Sequence, residues 1–199
     1  MRIAVLLSGR GSNFHAIHEA IQRGELDASI VAVISNRPDA GGLARAQQAG
    51  YGAHLIDHTA FANRAAHEAA VLEVLEAAGA EWIVLAGYMR LFTAAFVERY
   101  RNRIVNIHPS LLPAFPGTNA QYQALEHGVK WTGATVHLVT AELDGGPIVL
   151  QETVAVKDGD NLDMLAARIL EREHHLYPLA IQLILNGGWR IEGRRFIGT

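Results

Sequence analysis

Two periods alternate along the chain. Runs rich in Val, Ile and Leu occupy residues 2–7, 29–34, 82–86 and 103–107, with a weaker one at 52–56. They are almost unbroken by polar positions. Strands of this kind are buried on both faces, as in a parallel sheet covered by helices. Between them lie stretches with helical spacing, at 12–23, 42–49, 60–78 and 93–101. Repeated strand–helix units of this length predict βαβ crossovers. Up to residue 110 the pattern is that of a Rossmann-like, doubly wound α/β fold with a mostly parallel sheet.

Beyond that point the pattern changes. Residues 118–128 have helical spacing. Residues 132–140 and 147–157 read as two strands joined by a D-G-G-P turn, which predicts an antiparallel C-terminal extension of the sheet. A long helix is expected over 161–186, N-capped by Asp160 or Asn161 and kinked at Tyr177-Pro178. One more short strand falls within 189–197. No linker, repeat or low-complexity segment interrupts the 199 residues. The expectation is one domain, 1–199, with a Rossmann-like nucleotide-binding half at 1–110 and a C-terminal half at 111–199.

Composition narrows the function classes. Half of the residues are hydrophobic, enough for a sizeable core. The net charge is −3 with ten histidines counted neutral, and no basic block stands out. A nucleic-acid partner needs a concentrated positive footprint, which is missing. No apolar run reaches the length of about 18 residues that suggests a membrane span. The opening apolar run stops at Ser8 and Gly9, too short for a signal-peptide core. There is no cysteine, which excludes disulfides, thiolate metal sites and cysteine nucleophiles. A cytoplasmic location is the expectation.

Four places can carry chemistry. The first is L-S-G-R-G-S-N-F at 7–14, between the first strand and the first helix. Glycines admit a close ligand, and the helix N-terminus offers free N–H groups and a positive dipole end. An anion such as phosphate fits at Gly11, Ser12 and Asn13. Phe14 replaces the third glycine of the dinucleotide fingerprint, and no nucleoside-triphosphate loop is present. The plainer alternative is a tight turn with Ser12 as an ordinary N-cap.

The second place is V-N-I-H-P at 105–109. Side chains alternate along a strand, so Asn106 and His108 share one face. They lie at the carboxyl end of the fifth predicted parallel strand, where ligands of such sheets bind. An amide and an imidazole there can donate to a carbonyl oxygen as it becomes an oxyanion, and the imidazole can move a proton near neutral pH. The third is Asp144 in A-E-L-D-G-G-P. An Asp-Gly pair is first of all a turn former, but a carboxylate near His108 would stabilise the imidazolium and orient the ring. The fourth is Glu173, which shares a stripe of the long helix with Leu162, Leu165, Ile169, Leu176 and Ala180. A carboxylate there needs a partner, either a sugar diol or an arginine. Arg64 and Arg90 are isolated arginines; Arg90 follows the end of the fourth strand. His15 with His18, and His54 with His58, have no acidic or cysteine partners at a metal-site spacing, so no metal is expected.

Taken together, these stretches resemble the glycinamide ribonucleotide (GAR) formyltransferase family of purine biosynthesis. The likeness covers nearly the whole chain. It rests on LSGRGSN, AGYMRLF at 86–92, NIHPSLLPAFPG at 106–117, TGATVHLV at 132–139, LDGGPIVLQ at 143–151 and EREHHLYP at 171–178. The resemblance implies that Gly11, Ser12 and Asn13 hold the phosphate and ribose side of GAR, with Glu173 and Leu170 at the ribose. It implies a folate site formed by Met89, Arg90, Leu91 and Phe92, with Arg64 nearby and Asn106 shared. Asn106, His108 and Asp144 would be the catalytic trio. The co-substrate would be 10-formyltetrahydrofolate, and no metal would take part. The partners implied are small molecules, with neither nucleic acid nor membrane, and a homodimer is allowed. Residues 110–128 would form a mobile loop. Many members carry a histidine shortly after Pro-Gly in this loop; here the sequence is T-N-A-Q-Y.

Two other readings compete. Formyltetrahydrofolate hydrolases and methionyl-tRNA formyltransferases share the Asn-x-His segment but are longer, and this chain ends soon after its long helix. A phosphate-binding module without catalysis would leave Asn106 and His108 idle.

Overall fold

A computed structural model describes residues 1–198. The described residues form two compact units, the second starting at Asn106. The first is built from β1 (Arg2–Leu7), α1 (Ser12–Gln22), β2 (Ser29–Ser35), α2 (Gly41–Gln48), β3 (Ala53–Leu55), α3 (Arg64–Ala77), β4 (Trp82–Leu85) and α4 (Ala94–Arg99). Its strands run in the order β3-β2-β1-β4, and every pair is parallel. Such pairs require crossover helices, which is why strand and helix alternate here. Ile3, Ala4, Val5, Leu6 and Leu7 are all fully buried. This central strand is covered on both faces, and its unbroken apolar run follows from that.

The chain passes from the first unit to the second inside β5 (Ile104–His108). The second unit continues with α5 (Ala120–Glu126), β6 (Trp131–Leu138), β7 (Ile148–Ala155), α6 (Leu162–Leu185), β8 (Arg190–Glu192) and β9 (Arg195–Ile197). Strands β6 and β7 pair antiparallel, as the turn chemistry between them predicts. The fold is thus a mostly parallel α/β architecture with antiparallel C-terminal strands.

Several boundaries differ from the sequence reading. The expected helix over 60–78 starts only at Arg64. Asp57 first caps a short 3₁₀ turn over 58–60, and Asn63 then accepts a bond from the Ala66 N–H. A capping side chain of this kind sets a helix start. The tail is a hairpin of two short strands, β8 and β9, where one was expected. At the long helix the cap is Asn161, which accepts from the Met164 N–H at 2.9 Å. The helix continues through Pro178, where the ring costs it one backbone bond.

Asp160, the other candidate cap, is used differently. It receives both terminal nitrogens of Arg168, at 2.6 and 2.8 Å, and Arg168 also bonds the Ala155 carbonyl. This fork ties the end of β7 to α6. The Arg168 guanidinium, helped by the Lys157 N–H, holds the Asp160 carboxyl down to about 2. A carboxyl depressed in the folded state stabilises the fold above its unfolded value of about 3.9, and that contribution fades as pH falls through the folded value. Arg168→Ala is therefore expected to lower the thermal midpoint at pH 7, with the gap to wild type narrowing between about pH 4 and pH 2. Melting curves across that range check it; a gap of constant size would rule out the ion pair as its cause.

Candidate active site

The trio singled out at the carboxyl end of β5 lies within the second unit. Asn106 and His108 sit two apart on β5, half-buried and buried respectively. Asp144 comes from the turn before β7. Its backbone is left-handed, with φ of 49°, an uncommon state for a residue with a side chain. The glycines after it make the turn possible. A Cβ on Gly146 would lie 1.8 Å from the Leu138 carbonyl oxygen, so the chain could not fold back beside β6 with any other residue there. Its tight return to β7 brings the Asp144 carboxylate inward, with its side chain only 11% exposed.

His108 Nδ1 lies 3.5 Å from Asp144 Oδ2. On the other side of the ring, Nε2 donates to the Phe115 carbonyl at 2.8 Å. Both ring nitrogens therefore face acceptors, an arrangement that suits a ring carrying two protons. Asp144 Oδ2 also accepts from the Gly117 N–H at 2.7 Å, which ties the segment after β5 to the carboxylate. Ser110 reinforces that segment by donating to the Ala114 carbonyl at 2.5 Å.

A fourth side chain, His137 on β6, was not singled out in the sequence. Its Nε2 lies 3.7 Å from Asp144 Oδ1 and 3.2 Å from Asn106 Nδ2. Its Nδ1 donates to the Leu138 carbonyl at 3.1 Å. Nε2 is then the lone-pair side and accepts an N–H of Asn106. Burial pushes the proton affinity of His137 down, against the opposing pull of the Leu138 carbonyl and Asp144, so the neutral ring is favoured. This fixes the Asn106 amide with nitrogen toward His137 and one N–H left to donate. The signal was present in T-G-A-T-V-H-L-V, where a lone histidine interrupts a strand of apolar residues.

The glycine loop lies in the first unit, after β1. Gly11 is the N-cap of α1, left-handed at φ 75°, and no side chain caps the helix. Ser12 is the first helical residue, so the N-cap role considered for it falls to Gly11. The first N–H groups of a helix have no partner inside it. Uncapped at the carboxyl end of a parallel strand, they are suited to an anion. A Cβ on Gly11 would sit 2.6 Å from the Gly42 Cα, so close packing of α2 requires glycine there. Asn13 is buried in the same turn.

The segment after β4 belongs to the same unit. Met89 and Leu91 are exposed, 68% and 54%, while Arg90 and Phe92 are half-buried. Phe92 stacks on Phe96 with ring centroids 4.1 Å apart. Arg64 is exposed at the start of α3. Glu173 is buried on α6 in the second unit, one turn after half-buried Leu170. Leu170 sits mid-helix, where its amide and carbonyl belong to the helical ladder. Packing is therefore the contact it has to offer.

Other histidines are engaged within the protein. His18 Nδ1 lies 2.8 Å from the Tyr51 hydroxyl and His58 Nδ1 2.9 Å from the Asn36 carbonyl. Among the described residues, no group of three or more His, Asp or Glu could hold a metal ion. No helix among them is long and apolar enough to cross a membrane.

Fold and constellation together define an α/β protein with an amide, an imidazole and a carboxylate gathered near a strand end. The Formyl transferase family profile matches residues 1–181, and the chain belongs to that family. It is 44% identical over 187 residues to phosphoribosylglycinamide formyltransferase of Escherichia coli (strain K12), covering 94% of this chain and 88% of that one. The crystal structure of glycinamide ribonucleotide transformylase 1 from Symbiobacterium toebii superposes with a TM-score of 0.96 at 51% identity, over 98% of this chain and 92% of that one. The trifunctional purine biosynthetic protein adenosine-3 of Bos taurus is 44% identical over 190 residues, 96% of this chain. The chain spans 19% of that longer protein's length.

Proposed function

We propose that this protein transfers the formyl group of 10-formyltetrahydrofolate to the amine of 5'-phosphoribosylglycinamide, giving the N-formyl product and tetrahydrofolate in de novo purine biosynthesis. The observation that carries this reading is the meeting of Asn106, His108 and Asp144 in a chain that matches the E. coli enzyme of that name over 94% of its length.

The co-substrate supplies a carbonyl carbon bonded to a nitrogen that can leave. The protein's part is to hold that carbonyl and move protons. Asn106, oriented by neutral His137, offers its remaining N–H to the carbonyl oxygen as negative charge develops there. The GAR amine attacks the formyl carbon. As the bond from that carbon to the folate nitrogen breaks, His108 gives this nitrogen a proton from Nε2, once the Phe115 carbonyl moves aside, and the proton lost by the attacking amine returns to His108. Asp144 balances the imidazolium charge before that transfer. Movement of the 110–128 segment, whose Phe115 and Asn119 have left-handed backbones, is the step that exposes Nε2.

Roles for the other residues follow from their settings. Gly11, Ser12 and Asn13 hold the phosphate end of GAR through the uncapped N-terminus of α1. Glu173 accepts from the ribose hydroxyls, and Leu170 packs beside them. Met89, Arg90, Leu91 and Phe92 receive the folate ring. The exposed apolar side chains of Met89 and Leu91 fit a flat, largely apolar group. Arg64 is suited to the folate's carboxylates. In this reading the partners are these two small molecules rather than nucleic acid or membrane. The location is cytoplasmic, and a homodimer is compatible with it.

The test is an assay of purified protein with both substrates. Tetrahydrofolate release that depends on GAR is expected. Release at the same rate without GAR would instead identify a formyltetrahydrofolate hydrolase.

A further inference from the structure

We infer that Ser8 and Asn36 form a positioning pair that holds the folate-side segment at 87–92 in fixed spacing to the glycine loop at 8–13. The role given to 87–92 rests on the proposed function; the clasp itself rests on geometry within the first unit.

Ser8 is the residue after β1 and the first of the glycine loop. Its N–H donates to the Gly87 carbonyl at 3.0 Å, continuing the backbone bond from the Ala86 N–H to the Leu6 carbonyl. Its hydroxyl oxygen accepts from the Met89 N–H at 2.8 Å. An amide N–H can only donate, so the hydroxyl's own proton must go elsewhere. It goes to Asn36 Oδ1, at 2.5 Å. That direction fixes the Asn36 amide with its oxygen toward Ser8. Ser8 and Asn36 are 6% and 2% exposed, so water has little access to the bond between their side chains.

The other end of the same segment is held too. Thr93 donates its N–H to Glu68 at 2.7 Å and its hydroxyl to the other oxygen of that buried carboxylate. The two anchors fall at Met89 and Thr93 and bracket Arg90, Leu91 and Phe92. Ser8 belongs to one substrate loop by sequence and grips the other by hydrogen bonds. It is the joint between them. None of these groups has a place in the chemistry at His108, so Ser8 acts through the residues it holds.

Loss of the hydroxyl would leave the Met89 N–H without its Ser8 acceptor and the buried Asn36 Oδ1 without its Ser8 donor. In Ser8→Ala, KM for 10-formyltetrahydrofolate is expected to rise about tenfold, with kcat within about twofold of wild type. Amide exchange at Met89 in the ligand-free protein is expected to quicken by about tenfold or more. Ser8→Thr, which keeps the hydroxyl, is expected to restore both. Unchanged exchange at Met89 in Ser8→Ala overturns the clasp whatever the activity. Quickened exchange with an unchanged KM overturns its part in folate binding. A wild-type protein that transfers no formyl group would overturn the proposed function alone, and the exchange measurement would still decide the clasp. If Ser8→Ala does not fold, Ser8→Cys, whose sulfur is only a weak acceptor, serves in its place with the same two readouts and the same outcomes.

Discussion

Replacement of His108 by alanine is expected to lower kcat for formyl transfer about a thousandfold, within the usual range for losing a positioned acid–base group. The ring is buried at 4% exposure, and its nitrogens are spoken for by the Phe115 carbonyl and the Asp144 carboxylate. Alanine removes both the proton carrier and the ring nitrogen that faces Asp144 Oδ2. Oxyanion stabilisation by Asn106 survives in this variant, since that amide is held by His137 and not by His108. Residual turnover above the uncatalysed rate is therefore expected, with little change in the KM for either substrate. Steady-state kinetics with a thermal melt as folding control checks this. A variant that folds and keeps kcat within about tenfold of wild type would remove His108 from the chemistry.

Asp144→Asn is expected to cost about a hundredfold in kcat while leaving the fold nearly unchanged. The carboxylate has two separable duties. Oδ2 accepts from the Gly117 N–H at 2.7 Å, which an asparagine oxygen can still do. Its charge faces His108 Nδ1 at 3.5 Å, and an amide cannot supply that. Asn therefore keeps the tie to the segment after β5 and loses only the electrostatic part. Alanine loses both, so Asp144→Ala is expected to melt earlier than Asp144→Asn. Equal turnover in Asp144→Asn and wild type would mean that the charge is not used. Equal loss of melting temperature in the two variants would mean that the Gly117 bond carries no stability.

Much of the architecture was legible because it is written in local patterns. The unbroken run at Ile3–Leu7 could only be a strand covered on both faces, and the structure leaves none of those side chains exposed. The antiparallel pair β6 and β7 was legible from D-G-G-P, since Gly146 is the residue that permits so tight a return. Boundaries were less legible where two signals competed. Asp57 and Asn63 each cap a separate short start in one polar stretch, and the expected single helix became a turn followed by α3. The choice between Asp160 and Asn161 as cap was settled by Arg168, eight residues on from Asp160, whose fork takes that carboxylate away.

The candidate site divides along the same line. By itself the sequence determined that Asn106 and His108 share a face at a strand end, because period-two alternation is a property of the backbone alone. It also placed a glycine turn ahead of the first helix, while the absence of room for a Cβ at Gly11 was decided by the packing of Gly42 against it. Only the tertiary structure decided that Asp144 comes within 3.5 Å of His108, that His137 stands between Asp144 and Asn106, and that Ser8 holds Met89. These pairs lie 36, 7, 31 and 81 positions apart in the chain. Nothing in local propensity fixes such distances. They are set by which strands pair and where the turns between them end.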